Sequence, residues 1–244
     1  ETGTRMPVSI FLGGDPVFTF AATAPLPDGL DEFLLAGYLR KKSVELVKCE
    51  TNDLEVPANA DFVIEGYVDP TEPLRDEGPF GDHTGYYTLP EPYPVFHVTA
   101  ITHRKKPIFQ GLLTGKPVTE NHILKQVPFE ASVYRTLKNQ FPTITGVSVR
   151  ASAGVSFYVV IAMNPRYAGE ARQVILSAMA SNIRPKWVVI FDPDIDVHNS
   201  GEVEWAMAFR VQPQRDVIVI ENTPAGPSDP SVDLSRDRAL RISS

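Results

Sequence analysis

Proline and glycine divide this chain in two. Up to about residue 118 the apolar runs are short, and most end at a turn bearing Gly or Pro. Beyond it, helical and strand-like runs alternate. Frequent breaks exclude long helices, because proline removes a backbone donor and glycine resists regular structure. The first segment therefore reads mostly as β. Residues 7–12 are apolar and stop at Gly13-Gly14-Asp15-Pro16, a strong turn. Asp28 or Asp31 can cap a helix whose Phe33, Leu34, Leu35, Tyr38 and Leu39 recur at helical spacing. Residues 44–49 and 61–68 read as strands. Residues 95–102 and 107–113 read as a hairpin turning at 103–106. Short strands, many turns and one embedded helix suggest a barrel or a sandwich.

The second segment alternates. Residues 121–137 read as a helix interrupted at Pro128, 144–149 and 156–162 as strands, and 168–180 as an Ala-rich helix with Val174, Ile175 and Met179 on one face. The run Trp187-Val188-Val189-Ile190-Phe191 suits a strand buried on both faces. Ser200 or Gly201 starts a helix reaching Arg210, and residues 216–221 read as a further strand. This predicts a layered α/β domain over residues 119–224, and hence an α+β chain overall. Residues 225–244, rich in Pro, Ser and Asp, read as a loop or mobile tail.

Composition narrows the function classes. Apolar residues make up 43% and charged residues 22% of the 244, ordinary for a soluble globular protein. The net charge is −7, and the two basic triplets, Arg40-Lys41-Lys42 and Arg104-Lys105-Lys106, sit at a helix end and a turn, so a nucleic-acid partner is not expected. Cys49 is the single cysteine, which excludes an internal disulfide and any Cys/His zinc spacing. It reads as a buried, inert thiol in a reducing compartment. With no signal-peptide pattern and no apolar stretch of about 18 residues, a cytoplasmic protein without membrane anchoring is expected. Both ends are abrupt, so the chain reads as a piece of a longer polypeptide.

The chemistry is sought in Glu77-Gly78-Pro79-Phe80-Gly81-Asp82-His83-Thr84-Gly85-Tyr86-Tyr87. Glu77 and Asp82 stand five residues apart around Gly, Pro and Phe, and a tight turn can bring both to one cavity. Two acids sharing a site cannot both ionise freely, so at least one pKa is expected to rise, leaving a proton to deliver near neutral pH. The competing reading is a surface turn in which Asp82 caps its own backbone. His83 either orients a substrate or tunes a carboxylate, or merely donates to a backbone carbonyl. His97, His103, His122 and His198 are scattered singly and read as structural. Asn52-Asp53 reads as a turn or bulge, and Glu32 as a helix-surface acid favoured by the macrodipole. Asp192, Asp194 and Asp196 lack the glycine and terminal glutamate of a calcium loop and read as a loop and capping cluster. Neither a Gly-rich phosphate loop nor a Gly-x-Ser-x-Gly elbow occurs.

Four stretches resemble the UbiD family of prenylated-FMN-dependent decarboxylases. They are Pro25-Leu26-Pro27-Asp28-Gly29, residues 45–58 (Glu-Leu-Val-Lys-Cys-Glu-Thr-Asn-Asp-Leu-Glu-Val-Pro-Ala), residues 77–86, and Glu221-Asn222-Thr223-Pro224, in family order. The resemblance implies a split β-barrel of the flavin-reductase type followed by an α/β domain that mediates homodimers or homohexamers. It implies decarboxylation, reversible in principle, of an aromatic, heteroaromatic or α,β-unsaturated carboxylic acid. The cofactor acts as electron sink, CO2 is released, and a prenyltransferase supplies the cofactor. By position, Asp82 matches the acid that protonates the product carbon and Glu77 its partner carboxylate. Glu32 matches a ligand of Mn2+ (or Mg2+) at the flavin phosphate, overriding the surface reading. Ala21, Ala22 and Ala24 fall where backbone oxygens hold K+, and Ala22, Ala24 and Pro25 with Glu32 border the cofactor. The family's catalytic arginine and its Asn and His metal ligands precede residue 1, and its Lys-Met-Gly-Ile-Asp-type stretch would follow Ser244. Ala180 stands where some members place a lysine near the flavin, which disfavours the fungal cinnamic-acid branch. The rival readings are a flavin-binding or assembly module without its own catalysis, and a carboxylate-pair hydrolase.

Overall fold

A computed structural model of the chain describes residues 3–27, 29–223 and 228–232. The chain divides into two compact units, Glu1–Gly81 with Tyr87–Leu113, and Asp82–Tyr86 with Thr114–Ser244.

The first unit opens with β1 (Met6–Leu12), α1 (Val17–Thr23) and α2 (Glu32–Arg40). Asp31 caps α2, its Oδ1 accepting the Phe33 N–H at 2.6 Å, and the helix stops at Lys41 in the left-handed region. The alternative cap, Asp28, lies outside the described residues. Then come β2 (Leu46–Lys48), β3 (Glu55–Pro57), β4 (Phe62–Val68), β5 (Arg75–Glu77), β6 (Glu91–Tyr93) and β7 (Phe96–His103). β4 is the centre of an antiparallel sheet ordered β1-β4-β7, with a register shift between Glu65 and Gly66, while β2-β3 and β5-β6 are two-stranded. Phe18, Ala21 and Ala36 form a small core with Phe11 and Phe33. Cys49 is buried, as expected, and its thiol donates to Ser9 Oγ at 3.3 Å.

The expected second strand of the 95–113 hairpin does not form: among the described residues, 107–113 carry no ladder. Pro107 has no N–H to give, and the Ile108 N–H goes to Asp61 Oδ1 at 3.2 Å.

The second unit holds α3 (Glu120–Gln140), β8 (Ile144–Val149), β9 (Tyr158–Met163), α4 (Glu170–Met179), β10 (Trp187–Phe191), α5 (Ser200–Arg210) and α6 (Pro213–Asp216). Its sheet is ordered β10-β9-β8, with β8 antiparallel and β10 parallel to β9. Alternation along β9 explains the layering, because successive strand side chains point to opposite faces. Val159, Ile161 and Met163 join Val133 and Leu137 of α3 and Val174 and Ala178 of α4. Val160 and Ala162 join Val203 and Ala206 of α5.

Three expectations change here. α3 runs through Pro128 unbroken. The buried ring and the Val133 and Leu137 packing that follows offset one lost backbone bond. β10 is an edge strand with Trp187 63% exposed, not a strand buried on both faces. Residues 216–221 form no strand: Asp216 ends α6, and residues 217–220 have no ladder partner among the described residues. Of the 225–244 tail, only 228–232 are described; the remainder lies outside the described residues. Among the described residues no helix is long and apolar enough to cross a membrane.

Candidate active site

The acidic segment is a hairpin. Glu77 sits opposite Glu91 in the β5-β6 ladder. Further along, the Thr88 N–H reaches the Phe80 carbonyl at 2.8 Å and Gly81 bridges Tyr87. The tip closes with Asp82 N–H donating to the Tyr86 carbonyl at 2.9 Å and Gly85 N–H to the Asp82 carbonyl at 3.0 Å. Gly85 is at φ +86°, where an added Cβ would lie 2.8 Å from Lys116 Cβ, so this turn admits only glycine without displacement. Glu77 is exposed and stands in the stem, in the first unit, while Asp82 stands in the tip, in the second.

Within the second unit the tip is held from several sides. Asp82 Oδ1 accepts the His83 N–H and the His83 Nδ1–H, each at 2.6 Å. The Asp82 and His83 side chains are only 13% and 18% exposed. A Cβ on Gly154, at φ +69°, would lie 3.6 Å from His83 Cδ2 and 3.3 Å from the Phe157 ring, so bare backbone flanks the imidazole. Beside it, buried Val155 holds φ at 70°, a strained conformation for a β-branched residue.

The electrostatics correct one expectation. Burial pushes the Asp82 carboxyl up, but the bonds from the His83 ring and amide, with the influence of the Ser228 hydroxyl, outweigh it and hold the group below the usual carboxylate range. Asp82 is therefore ionised at neutral pH in the unliganded chain. Asp82 thus caps its own turn, its donors being the amide and ring of its neighbour His83.

Glu32 lies exposed in the first turn of α2. Its oxygens suit a hard divalent cation. Among the described residues no three His, Cys, Asp or Glu side chains gather, so the chain offers one such carboxylate rather than a complete set. Ala21, Ala22 and Ala24 cluster at the C-terminal end of α1, Ala21 buried and Ala22 exposed, with Pro25 following. The Ala21 and Ala24 carbonyls accept Ala24 N–H and Leu26 N–H at 3.1 and 2.9 Å. Each carbonyl keeps a second lone pair, the donor type an alkali cation takes.

The sequence reading took His122 as structural and did not foresee its partner. His122 is 1% exposed and donates from Nε2 to the His83 carbonyl at 2.8 Å, tying α3 to the hairpin tip. The available signal was its place three residues after Thr119, where a capping box puts its polar side chain. His97, His103 and His198 pair with Glu72, the Arg104 carbonyl and Glu130, as structural histidines do.

Residues 1–117 match the 3-octaprenyl-4-hydroxybenzoate carboxy-lyase Rift-related domain (UbiD), and residues 122–239 match that family's C-terminal domain. The chain belongs to the UbiD family of carboxy-lyases. An uncharacterized protein of Archaeoglobus fulgidus is 41% identical over 231 residues, covering 94% of this chain and 48% of the relative. An Aquifex aeolicus protein is 42% identical over 229 residues, covering 93% and 46%. Among solved structures, the UbiD-class enzyme HmfF of Pelotomaculum thermopropionicum, in complex with FMN, is similar with a TM-score of 0.84 at 35% identity, over 94% of this chain and 51% of that one. Vanillic acid decarboxylase of Sedimentibacter hydroxybenzoicus, in its closed form, gives 0.84 at 32% identity, over 95% and 49%. The chain thus spans about half the length of the relatives it matches.

Proposed function

We propose that this chain carries the proton-donating hairpin and part of the cofactor cradle of a prenylated-FMN-dependent decarboxylase. Its substrate is an aromatic, heteroaromatic or α,β-unsaturated carboxylic acid, and the reaction is reversible in principle. The observation that carries the reading is Asp82: a largely buried carboxylate with defined donors, at the tip of a hairpin, in a family of carboxy-lyases. Prenylated FMN, when bound, supplies the electron sink for the bond broken as CO2 leaves.

The chain's own residues supply position and protons. Asp82 is ionised in the unliganded chain, and an anionic substrate brought beside it raises its proton affinity through like-charge repulsion. As its affinity rises, Asp82 takes up a proton from solvent, gives that proton to the product carbon and is left as the carboxylate, with Glu77 as its partner carboxylate. Glu32 contributes one oxygen ligand to Mn2+ or Mg2+ at the flavin phosphate. The backbone oxygens of Ala21, Ala22 and Ala24 hold K+, and Ala22, Ala24 and Pro25 border the cofactor. The β1-β4-β7 sheet belongs, in this reading, to a split barrel of the flavin-reductase type. The protein works in the cytoplasm as a homodimer or homohexamer and takes its cofactor from a prenyltransferase. An evolved dimeric form of HmfF in complex with prFMN supports the cofactor, and it shows that a protein similar to this chain can assemble as a dimer.

Two variants of the full-length protein test this. Asp82→Asn is expected to lower turnover by roughly 100- to 10,000-fold while cofactor absorbance persists; wild-type turnover removes Asp82 from the mechanism. Glu32→Ala is expected to lower metal and flavin occupancy together, and unchanged occupancy refutes its role as a ligand.

A further inference from the structure

The hairpin tip is held by a histidine that no step above uses. His122 is the third residue of α3, where a capping box usually carries Glu or Gln. Its Nδ1 accepts the Thr119 N–H at 3.1 Å and lies 2.9 Å from Thr119 Oγ1. Its Nε2 meets the His83 carbonyl oxygen at 2.8 Å. A backbone N–H can only donate, so Nδ1 carries no proton, and a carbonyl can only accept, so Nε2 carries one. The bonding pattern therefore admits a single neutral tautomer. Burial also disfavours the imidazolium, as does the charge of nearby Lys125, and together they outweigh the bond to the His83 carbonyl, which favours it.

From His83 the bonds continue inward. Its amide and its ring Nδ1 both end on Asp82 Oδ1. We infer that His122 is a positioning residue for Asp82: its one-tautomer imidazole fixes His83 to the N-terminus of α3, and His83 in turn fixes the carboxylate. This rests on Asp82 as the proton donor. The plain alternative is that His122 only caps α3.

The two roles use different ring nitrogens, so side-chain chemistry separates them. A glutamine at this position can accept from Thr119 N–H and donate to the His83 carbonyl. A glutamate can accept, as capping boxes do, but has no proton for His83. An asparagine can also accept, but is too short to reach His83. His122→Gln, His122→Glu, His122→Asn and Asp82→Asn are compared in full-length holoenzyme for kcat, KM, cofactor absorbance and thermal midpoint. On the same proteins without cofactor, NMR follows the His83 Nδ1–H proton bonded to Asp82.

The expected result is a His122→Gln enzyme within a few-fold of wild type that keeps the His83 resonance. His122→Glu and His122→Asn should lose that resonance, with kcat down by roughly 100-fold, the cost of a misplaced catalytic group, and with KM and cofactor content unchanged. If either folded donor-less variant keeps both the wild-type kcat and the resonance, the inference is overturned. It is equally overturned if His122→Gln falls as far as His122→Glu. Should Asp82→Asn turn over normally, the proton-donor reading fails on its own. The positional claim is then decided by the resonance alone, and its survival in His122→Glu overturns it.

Discussion

At the scale of single residues, the buried carboxylates show what a side chain can organise without a cationic partner. Glu65 is 1% exposed in the middle of β4. One oxygen accepts Glu50 N–H at 3.0 Å, and the other accepts Thr51 N–H at 2.6 Å and Thr51 Oγ1–H at 2.8 Å. Burial pushes this carboxyl up, but the three bonds together hold it low. A glutamine cannot replace it, because either amide orientation turns an NH2 toward a backbone N–H. Glu65→Gln is therefore expected to cost about 1–3 kcal/mol, the penalty for an unsatisfied buried donor, read as a lower urea midpoint. An unchanged midpoint contradicts this account. Legibility at this scale follows contact distance along the chain. The Asp31 cap was readable because its partner, Phe33, is two residues away. The Glu65 anchor and the His122–His83 bond join residues 14 and 39 positions apart, which no local pattern encodes.

At the scale of elements, helices and strands that bury a regular apolar face were readable, and those that depend on a partner were not. The unbroken apolar run of β9, buried on both faces, and the apolar face of α4 mark themselves, so both emerged near their expected bounds. Residues 216–221 are as rich in Val and Ile as any strand, yet a strand needs a ladder, and composition supplies only the propensity. Pro128 misled in the opposite direction, since tertiary packing outweighed one lost hydrogen bond. That packing is measurable. Leu137 of α3 is fully buried among Ile144, Val159 and Val174 neighbours of the same core. Leu137→Ala should cost about 2–5 kcal/mol through lost transfer energy and the cavity left behind. A loss below about 1 kcal/mol in chemical unfolding would mean that α3 docks by other contacts.

At the scale of the whole molecule, the buried titratable groups share one direction of response to acid. His122 is held neutral, its pKa below the ordinary value of about 6.5. Between those two pKa values the unfolded chain binds a proton that the folded chain refuses, so stability falls as pH drops below about 6.5. The carboxyls of Glu65, Asp82, Glu170 and Asp229 are held low by hydrogen bonds, and that of Asp69 is lowered to about 2 by Thr71 and Arg5. Their contribution is fully present above the unfolded carboxyl pKa of about 4 and disappears as pH falls toward the folded values. Acid unfolding is thus expected in two stages, an imidazole stage and then a carboxylate stage. His122→Gln separates them, since glutamine does not titrate. Urea midpoints at pH 7.5, 5.5 and 3.5, chosen as roughly bracketing these pKa values, should show the first drop reduced in His122→Gln and the second retained. If both drops persist unchanged, His122 is not the group that titrates, and the neutral tautomer that ties α3 to the acidic hairpin is not what the folded chain protects.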